Sequence, residues 1–250
     1  AIFPIIFTAD GGQTFAGDLQ RVDFSTDPEG GKRSLAQRLK DLALDVQSGF
    51  DWDPRRAPYP GLPAFEREDA AVYFGRDPEV RELIDRLRAR RAMGGAHMVA
   101  VLGSSGSGKS SLLRAGVLPR LQKFEPGFVV VPPLRPGSDP CAELAKAMAE
   151  ALGQPTQWRT LAEHLAADPA AVATDLLMAA GRREATLLIT MDQAEELFGS
   201  TPAEARARFE GWLRALQRQP VLVLLTLRSD RLGELQQWAQ PIGAFEQFSL

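Results

Sequence analysis

The sequence predicts an α/β protein: a mainly parallel sheet with crossover helices, preceded by a small α/β piece at the N-terminus. Three observations carry this. Strand-sized apolar runs alternate with segments of helical period from about residue 77 to the end. Glycines and prolines punctuate the changes between them. The longest apolar runs, VLVLLTL (221–227) and LLITM (187–191), fall well short of the ~18 residues a membrane span needs, so they belong to a core.

In chain order, AIFPIIF opens the sequence as a strand-like run with no cap, no partner before it and no initiator methionine, so the chain reads as a fragment of something longer. A helix is expected from Gly31, where Leu35, Leu39, Leu42 and Val46 recur at helical spacing and Gly49 ends it. Pro54, Pro58, Pro60 and Pro63 then deny both helix and central strand. This divides the chain into a piece at 1–50, a linker at 51–66 and a main domain at 67–250. Asp77 caps and Pro78 opens a helix with Val80, Leu83, Ile84 and Leu87 on one face, stopping near Gly94 and Gly95. MVAVL (98–102) is the next strand, followed by a helix from Lys109, a strand FVVV (128–131) and a helix from Pro140 to Leu152 with Gly153 as its stop. Two further helical stretches carry Trp158, Leu161 and Leu165, then Val172, Leu176 and Leu177, and Gly181 ends the second. LLITM is the third strand. Thr201, Pro202 and Glu204 make a capping-box pattern ahead of a helix whose buried stripe is Phe209, Trp212, Leu213 and Leu216. VLVLLTL is the fourth strand, and AFEQFSL (244–250) begins a fifth.

Composition narrows the function. Hydrophobic residues make up 44% and charged residues 24%, which excludes a disordered tail or a fibrous repeat. A net charge of −3 does not suit a protein that coats nucleic acid, so nucleic acid is not an expected partner, and neither is a membrane. With one cysteine, Cys141, and no signal peptide, a reducing cytoplasm is the expected location. His97, His164 and Cys141 are too scattered for a metal site. Basic residues are almost all arginine, 24 against 5 lysines, so a motif that demands lysine rarely arises by chance. Asparagine is absent.

Gly103, Ser104, Ser105, Gly106, Ser107, Gly108, Lys109 and Ser110 spell G-x-x-x-x-G-K-[ST], directly after MVAVL and directly before a helix that continues through Ser111. The glycines let consecutive backbone N–H groups turn inward around phosphates, and the helix points its positive end at them. Lys109 adds a point charge, and Ser110 offers an oxygen to Mg²⁺. A flexible Gly/Ser spacer would not sit between MVAVL and KSSLLRAGVLPRL.

LLITM runs into Asp192, where a carboxylate at a neighbouring strand end holds magnesium. In DQAEELF, Glu195 or Glu196 stands where it could orient or deprotonate an attacking water; the alternative is that these acids simply favour the first turn of a helix. VLVLLTL ends in Arg228, at the strand end where ligands bind in open α/β sheets, ready to sense a γ-phosphate; the alternative is a surface pair with Asp230. Arg86, Arg88, Arg90 and Arg91 close a helix, where cations are favourable, and read as structural. Guanine-specific P-loop proteins read their base with Asn-Lys-x-Asp, which a chain without asparagine lacks, so ATP is the favoured nucleotide.

At this point residues 58–250 resemble the STAND class of signal-transduction ATPases, relatives of the NACHT and NB-ARC switches in the AAA+ lineage, and bacterial novel-STAND proteins above all. The resemblance rests on PYPGL, FGRD (Phe74 to Asp77), GSSGSGKSSLLRAGVLP, LRPGSDP (134–140), MDQAEELF and TLRSD, in that order. It implies a P-loop NTPase three-layer sandwich of AAA+/STAND type, with the arginine strand between the phosphate-loop strand and the Asp192 strand. It also implies that Pro60, Gly61, Phe74, Gly75 and Arg76 lie near the adenine and ribose. In NACHT relatives the acidic run is Asp-Gly-x-Asp-Glu; here Gln193 replaces the glycine, which leaves the choice between Glu195 and Glu196 open. A winged-helix segment and C-terminal sensor repeats, which would receive an unidentified trigger, are expected beyond Leu250.

The first 50 residues resemble, more weakly, the end of a TIR domain, with IFPIIF as its last strand, VDF (22–24) and a closing helix. TIR domains cleave NAD or recruit partners, and their catalytic glutamate would lie upstream of Ala1. Together the resemblances imply a Mg²⁺-dependent ATP/ADP switch whose ATP form self-associates and gathers TIR effectors, in bacterial antiviral defence. Its rivals are an ordinary turnover ATPase or phosphotransferase, and a nucleotide-bound scaffold without catalysis.

Overall fold

Strands form where the sequence is most apolar. The computed structural model describes residues 5–6, 22–23, 27–30, 33–34, 50–53, 55–93 and 97–250, and the chain divides into two compact units, Ala1–Asp51 and Trp52–Leu250. In the first, β1 (Ile5–Ile6) pairs in parallel with β2 (Val22–Asp23). The helix expected to carry Leu35, Leu39, Leu42 and Val46 lies outside the described residues.

The second unit holds β3 (His97–Gly103), β4 (Phe128–Val130), β5 (Thr186–Met191), β6 (Val221–Arg228) and β7 (Phe245–Ser249) in the order β4-β5-β6-β3-β7. Every pairing in this sheet is parallel. β5 is buried along its whole length and β6 along all but its last residue, as strands covered on both faces must be. Successive side chains of β3 serve opposite faces. Met98, Ala100 and Leu102 join one core with Leu144 and Met148 of α3 (Pro140–Ala151), Leu176 of α5 (Pro169–Ala179), Phe209 and Trp212 of α7 (Ala203–Leu216) and Trp238 of α8 (Leu232–Ala239). Val99 and Val101 join the other core with Val80, Leu83, Ile84 and Leu87 of α1 (Asp77–Met93) and with Leu112, Leu113 and Leu121 of α2 (residues 109–124). The result is the expected three-layer α/β sandwich. α4 (Trp158–Ala167) lies between α3 and α5 in the chain, and the short α6 (Glu196–Gly199) follows β5.

Helix α2 is continuous but not uniform: an α-turn, Lys109–Ser111, passes into a π-helical stretch, Leu112–Val117, and returns to α-helix at Leu118–Phe124. Gly116 lies on the π stretch, where a Cβ would stand 2.8 Å from Val80 Cγ2 and 3.0 Å from Tyr73 Cε1. The close approach of α1 and Tyr73 to α2 therefore requires glycine.

Three local expectations are refined. Helix α1 includes Asp77 itself, with Val80 N–H donating to Arg76 O at 2.9 Å, so the helix starts one residue early. The capping box at Thr201 does not form: Pro202 occupies the N-cap without a side-chain cap, and the buried Thr201 hydroxyl donates instead to Gly137 O at 2.6 Å. A buried hydroxyl beside an unmet carbonyl gains more there than at an exposed helix end. The Pro-rich segment expected as a linker carries no regular element at residues 55–65 and belongs to the second unit, where Arg56 pairs with the buried Asp69 at 2.8 Å and the Phe65 ring stands edge-on to Tyr73. The arginines that close α1 are engaged in structure: Arg86 and Arg90 pair with Glu246 of β7, and Arg88 with Asp85 and Glu125. No helix among the described residues is long and apolar enough to cross a membrane.

Candidate functional site

The carboxyl ends of β3, β5 and β6 meet at one place, and the motif residues converge there. β3 ends at Gly103, the loop 104–108 turns back, and α2 begins at Lys109. Gly106 and Gly108 hold φ of 76° and 91°, left-handed values that L side chains rarely adopt, and this conformation rolls the loop into a concave strip. Lys109 is buried, and its ammonium donates to the carbonyls of Gly103 at 2.9 Å and Ser104 at 2.7 Å. Burial pulls the Lys109 ammonium below the usual lysine range, against Glu195 and Asp192, which favour the charged form.

Asp192 is fully buried at the end of β5. Its Oδ1 accepts the Ser110 hydroxyl at 2.9 Å and the Thr226 hydroxyl at 2.7 Å. Its Oδ2 accepts Arg114 Nε at 3.1 Å, and Arg135 stands 4.0 Å away. Thr226 is on β6, and its oxygen also accepts the Gln193 N–H at 2.8 Å. Gln193 holds φ 59°, the conformation a glycine takes without strain.

A cavity of about 170 Å³ opens on this arrangement, lined by Ala64, the loop residues Ser105, Gly106, Gly108, Lys109 and Ser110, and Gln193, Glu195, Thr226 and Arg228. Two buried side-chain oxygens here, Ser107 Oγ and Glu195 Oε2, have no hydrogen-bond partner. Glu196 faces elsewhere: its Oε2 accepts the Gly137 N–H at 3.0 Å. Arg228 lines the cavity and also makes a two-pronged pair with Asp230, at 3.0 and 2.8 Å. That pair is exposed and therefore weak enough to yield to a more highly charged anion. A larger recess of about 570 Å³, lined by Arg91, Gly127, Arg182 and Ala185 among others, lies at the amino-terminal end of β4 and β5, away from these groups. Chemistry, not size, picks out the loop cavity.

Ser104 and Ser105 lie exposed on the loop rim, and the Ser111 hydroxyl accepts the Phe65 N–H at 3.1 Å instead of facing the cavity. Phe74, Gly75 and Arg76 are not among the cavity-lining residues, nor are Pro60 and Gly61. The Phe74 side chain is exposed and Arg76 pairs with Glu79 at 2.8 Å. Sequence reading passed over Arg114, Arg135 and Thr226. They sit inside GSSGSGKSSLLRAGVLP, LRPGSDP and TLRSD, yet no local signal marks their convergence on Asp192 from 78, 57 and 34 positions away.

The donor set fits a magnesium-bound triphosphate. A buried carboxylate next to a hydroxyl at the head of a helix supplies hard oxygen ligands, and the loop supplies N–H groups for phosphate oxygens. Among the described residues there is no cluster of three or more His, Cys, Asp or Glu side chains that could hold a metal by itself.

A family model described as Novel STAND NTPase 1 matches residues 58–248. Two solved structures show low similarity. The Walker-type ATPase PABY2304 of Pyrococcus abyssi is 16% identical with a TM-score of 0.44, covering 77% of this chain and 57% of that one. The ORC1 protein of Aeropyrum pernix in complex with DNA is 19% identical with a TM-score of 0.44, covering 76% of this chain and 48% of that one. The chain thus spans about half the length of each. None of the curated proteins matches it.

Proposed function

The chain belongs to the novel STAND NTPase 1 family of P-loop NTPases, and from that premise we propose that it is a magnesium-dependent ATP switch that hydrolyses its nucleotide slowly. The observation that carries the reading is the convergence of Lys109, Ser110, Glu195 and Arg228 on one cavity, with Asp192 fixed 2.9 Å behind Ser110.

In this reading the loop amides and Lys109 hold the β and γ phosphates, which replace the Gly103 and Ser104 carbonyls as partners of the ammonium. Ser110 and Asp192 would hold magnesium, which supplies charge neutralisation across the phosphate oxygens. Glu195 accepts the proton of a water as its oxygen attacks the γ-phosphorus, the bond to the β–γ bridging oxygen breaks, and ADP and phosphate leave. The buried, unpartnered Glu195 Oε2 supports this role, and the Gly137 contact of Glu196 speaks against the alternative. Arg228 exchanges Asp230 for the γ-phosphate and reports its presence. The absence of asparagine, and so of the guanine-reading motif, supports ATP over GTP.

The biological reading is a resting ADP form and an ATP form that self-associates, bringing TIR-like N-terminal effectors together in antiviral signalling within the cytoplasm. The apolar strand-like opening and the VDF run support the TIR-like part. The test is titration of the chain with ATP and ADP. Lys109→Ala should lose about ten- to a hundredfold in Mg-ATP affinity, the worth of a charged hydrogen bond, and unchanged affinity would count against the site. A sustained multi-turnover rate would favour the ordinary ATPase, and no phosphate release at all the scaffold. Size measurement of the full-length protein in ADP and in a non-hydrolysable ATP analogue tests assembly.

A further inference from the structure

Arg114 is the least expected member of the site. It sits on the π-helical stretch of α2, 16% exposed, and touches two carboxylates at once. Its Nε and Nη2 both grip Oδ2 of Asp192, at 3.1 and 2.9 Å, while its Nη1 donates to Glu66 Oε1 at 2.7 Å. The grip on a single oxygen leaves Oδ1 to Ser110 and Thr226, so the carboxylate plane is fixed from both edges.

Charge balance matters as much as geometry. A guanidinium given wholly to Asp192 would cancel the charge that a dication needs. Shared with Glu66, it leaves the three groups with a net charge of −1 instead of zero, so Arg114 orients the carboxylate without by itself cancelling its charge, and Arg135 stands further off at 4.0 Å. Glu66 is also mechanically placed. It begins the 3₁₀ turn Arg67–Asp69 with a capping box, and its neighbour Phe65 donates its N–H to Ser111 on α2. One side chain thus connects Asp192 to the docking of residues 65–69 on the loop helix.

We propose that Arg114 is a positioning residue of the nucleotide site: it orients Asp192 for magnesium and, through Glu66, couples the docking of residues 65–69 to the binding of the metal-nucleotide. The inference rests on the magnesium-nucleotide reading above. By linkage, whatever tightens the docked segment tightens Mg-nucleotide binding by the same factor.

The experiment measures ATP affinity of the chain in magnesium and in excess chelator. Wild type should bind more tightly with magnesium. Arg114→Met should lose about tenfold or more of that magnesium-dependent gain, as second-shell substitutions do, while its affinity in chelator stays within about twofold. In an Asp192→Asn background the same substitution should cost nothing further, because the partner it acts through is gone. Glu66→Gln should weaken the slowing of amide exchange at residues 65–69 that Mg-ATP brings about. An Arg114→Met chain that keeps the full magnesium gain, or loses affinity equally in chelator, overturns the proposal. If that variant does not fold, Arg114→Lys decides, since a shorter, unforked ammonium cannot hold Oδ2 with two N–H groups while a third reaches Glu66: a full magnesium gain overturns the proposal and a reduced one supports it. A wild-type chain that binds no nucleotide overturns the earlier reading instead.

Discussion

The Ser110 hydroxyl donates to Oδ1 of Asp192 across 2.9 Å although 82 positions separate the two residues. That contact joins the head of α2, which follows β3, to the end of β5, and β3 and β5 are not neighbours in the sheet. β6 lies between them and contributes Thr226 to the same oxygen. The arginine strand thus separates the loop strand from the aspartate strand, as the resemblance implied, and its hydroxyl closes the gap.

Removing the carboxylate charge at Glu195 should separate binding from chemistry. Glu195→Gln is expected to keep nucleotide affinity and lose about a hundredfold or more in hydrolysis, the usual worth of a positioned base. Glu196→Gln keeps an oxygen for the Gly137 N–H, so its rate should stay within about threefold of wild type. Single-turnover phosphate release measures both, and the reverse ranking would transfer the role to Glu196.

Thr226→Val preserves shape and removes two hydrogen bonds, one to Asp192 and one from Gln193 N–H. Both atoms are left short of a partner inside the protein, so a loss of about 1–3 kcal/mol is expected in urea unfolding. A variant as stable as wild type would mean that the hydroxyl contacts contribute nothing net.

Gly116→Ala should destabilise the fold by about 1 kcal/mol or more, even though alanine is the better helix former. The added methyl would stand 2.8 Å from Val80 Cγ2 and 3.0 Å from Tyr73 Cε1, so one of these side chains or a helix must shift. A rise in thermal midpoint would show that the two helices separate easily.

Acid should weaken the clasp between α1 and β7. Burial by itself would raise the Glu246 carboxyl, but Arg90 and Arg86 outweigh it and hold the group below the usual carboxylate range. The folded chain therefore binds this proton less readily than the unfolded one. Its contribution is complete above the unfolded value of about 4.3 and is lost as pH falls through the lower folded value. Glu246→Gln should cost about 0.5–1 kcal/mol at neutral pH, and the gap from wild type should close on acidification. Urea melts at several pH values test this; a gap that stays constant would assign the effect to packing.

Contiguous features were legible in the chain. The loop 103–110, the apolar runs that became β3, β5 and β6, and the chemical endings Asp192 and Arg228 are local patterns, because a phosphate cradle needs neighbouring backbone N–H groups and a buried strand needs unbroken apolar residues. Features that depend on strand register emerged only on folding. The pairing of Met191 with Leu225 sets Asp192 beside Thr226, a neighbour that no spacing reveals. The π-helical turn aims Arg114 at Oδ2, and the Gly137 N–H draws Glu196 away while Glu195 lines the cavity. Adjacent glutamates look equivalent in a chain and diverge in a fold, because each backbone turn gives them different partners.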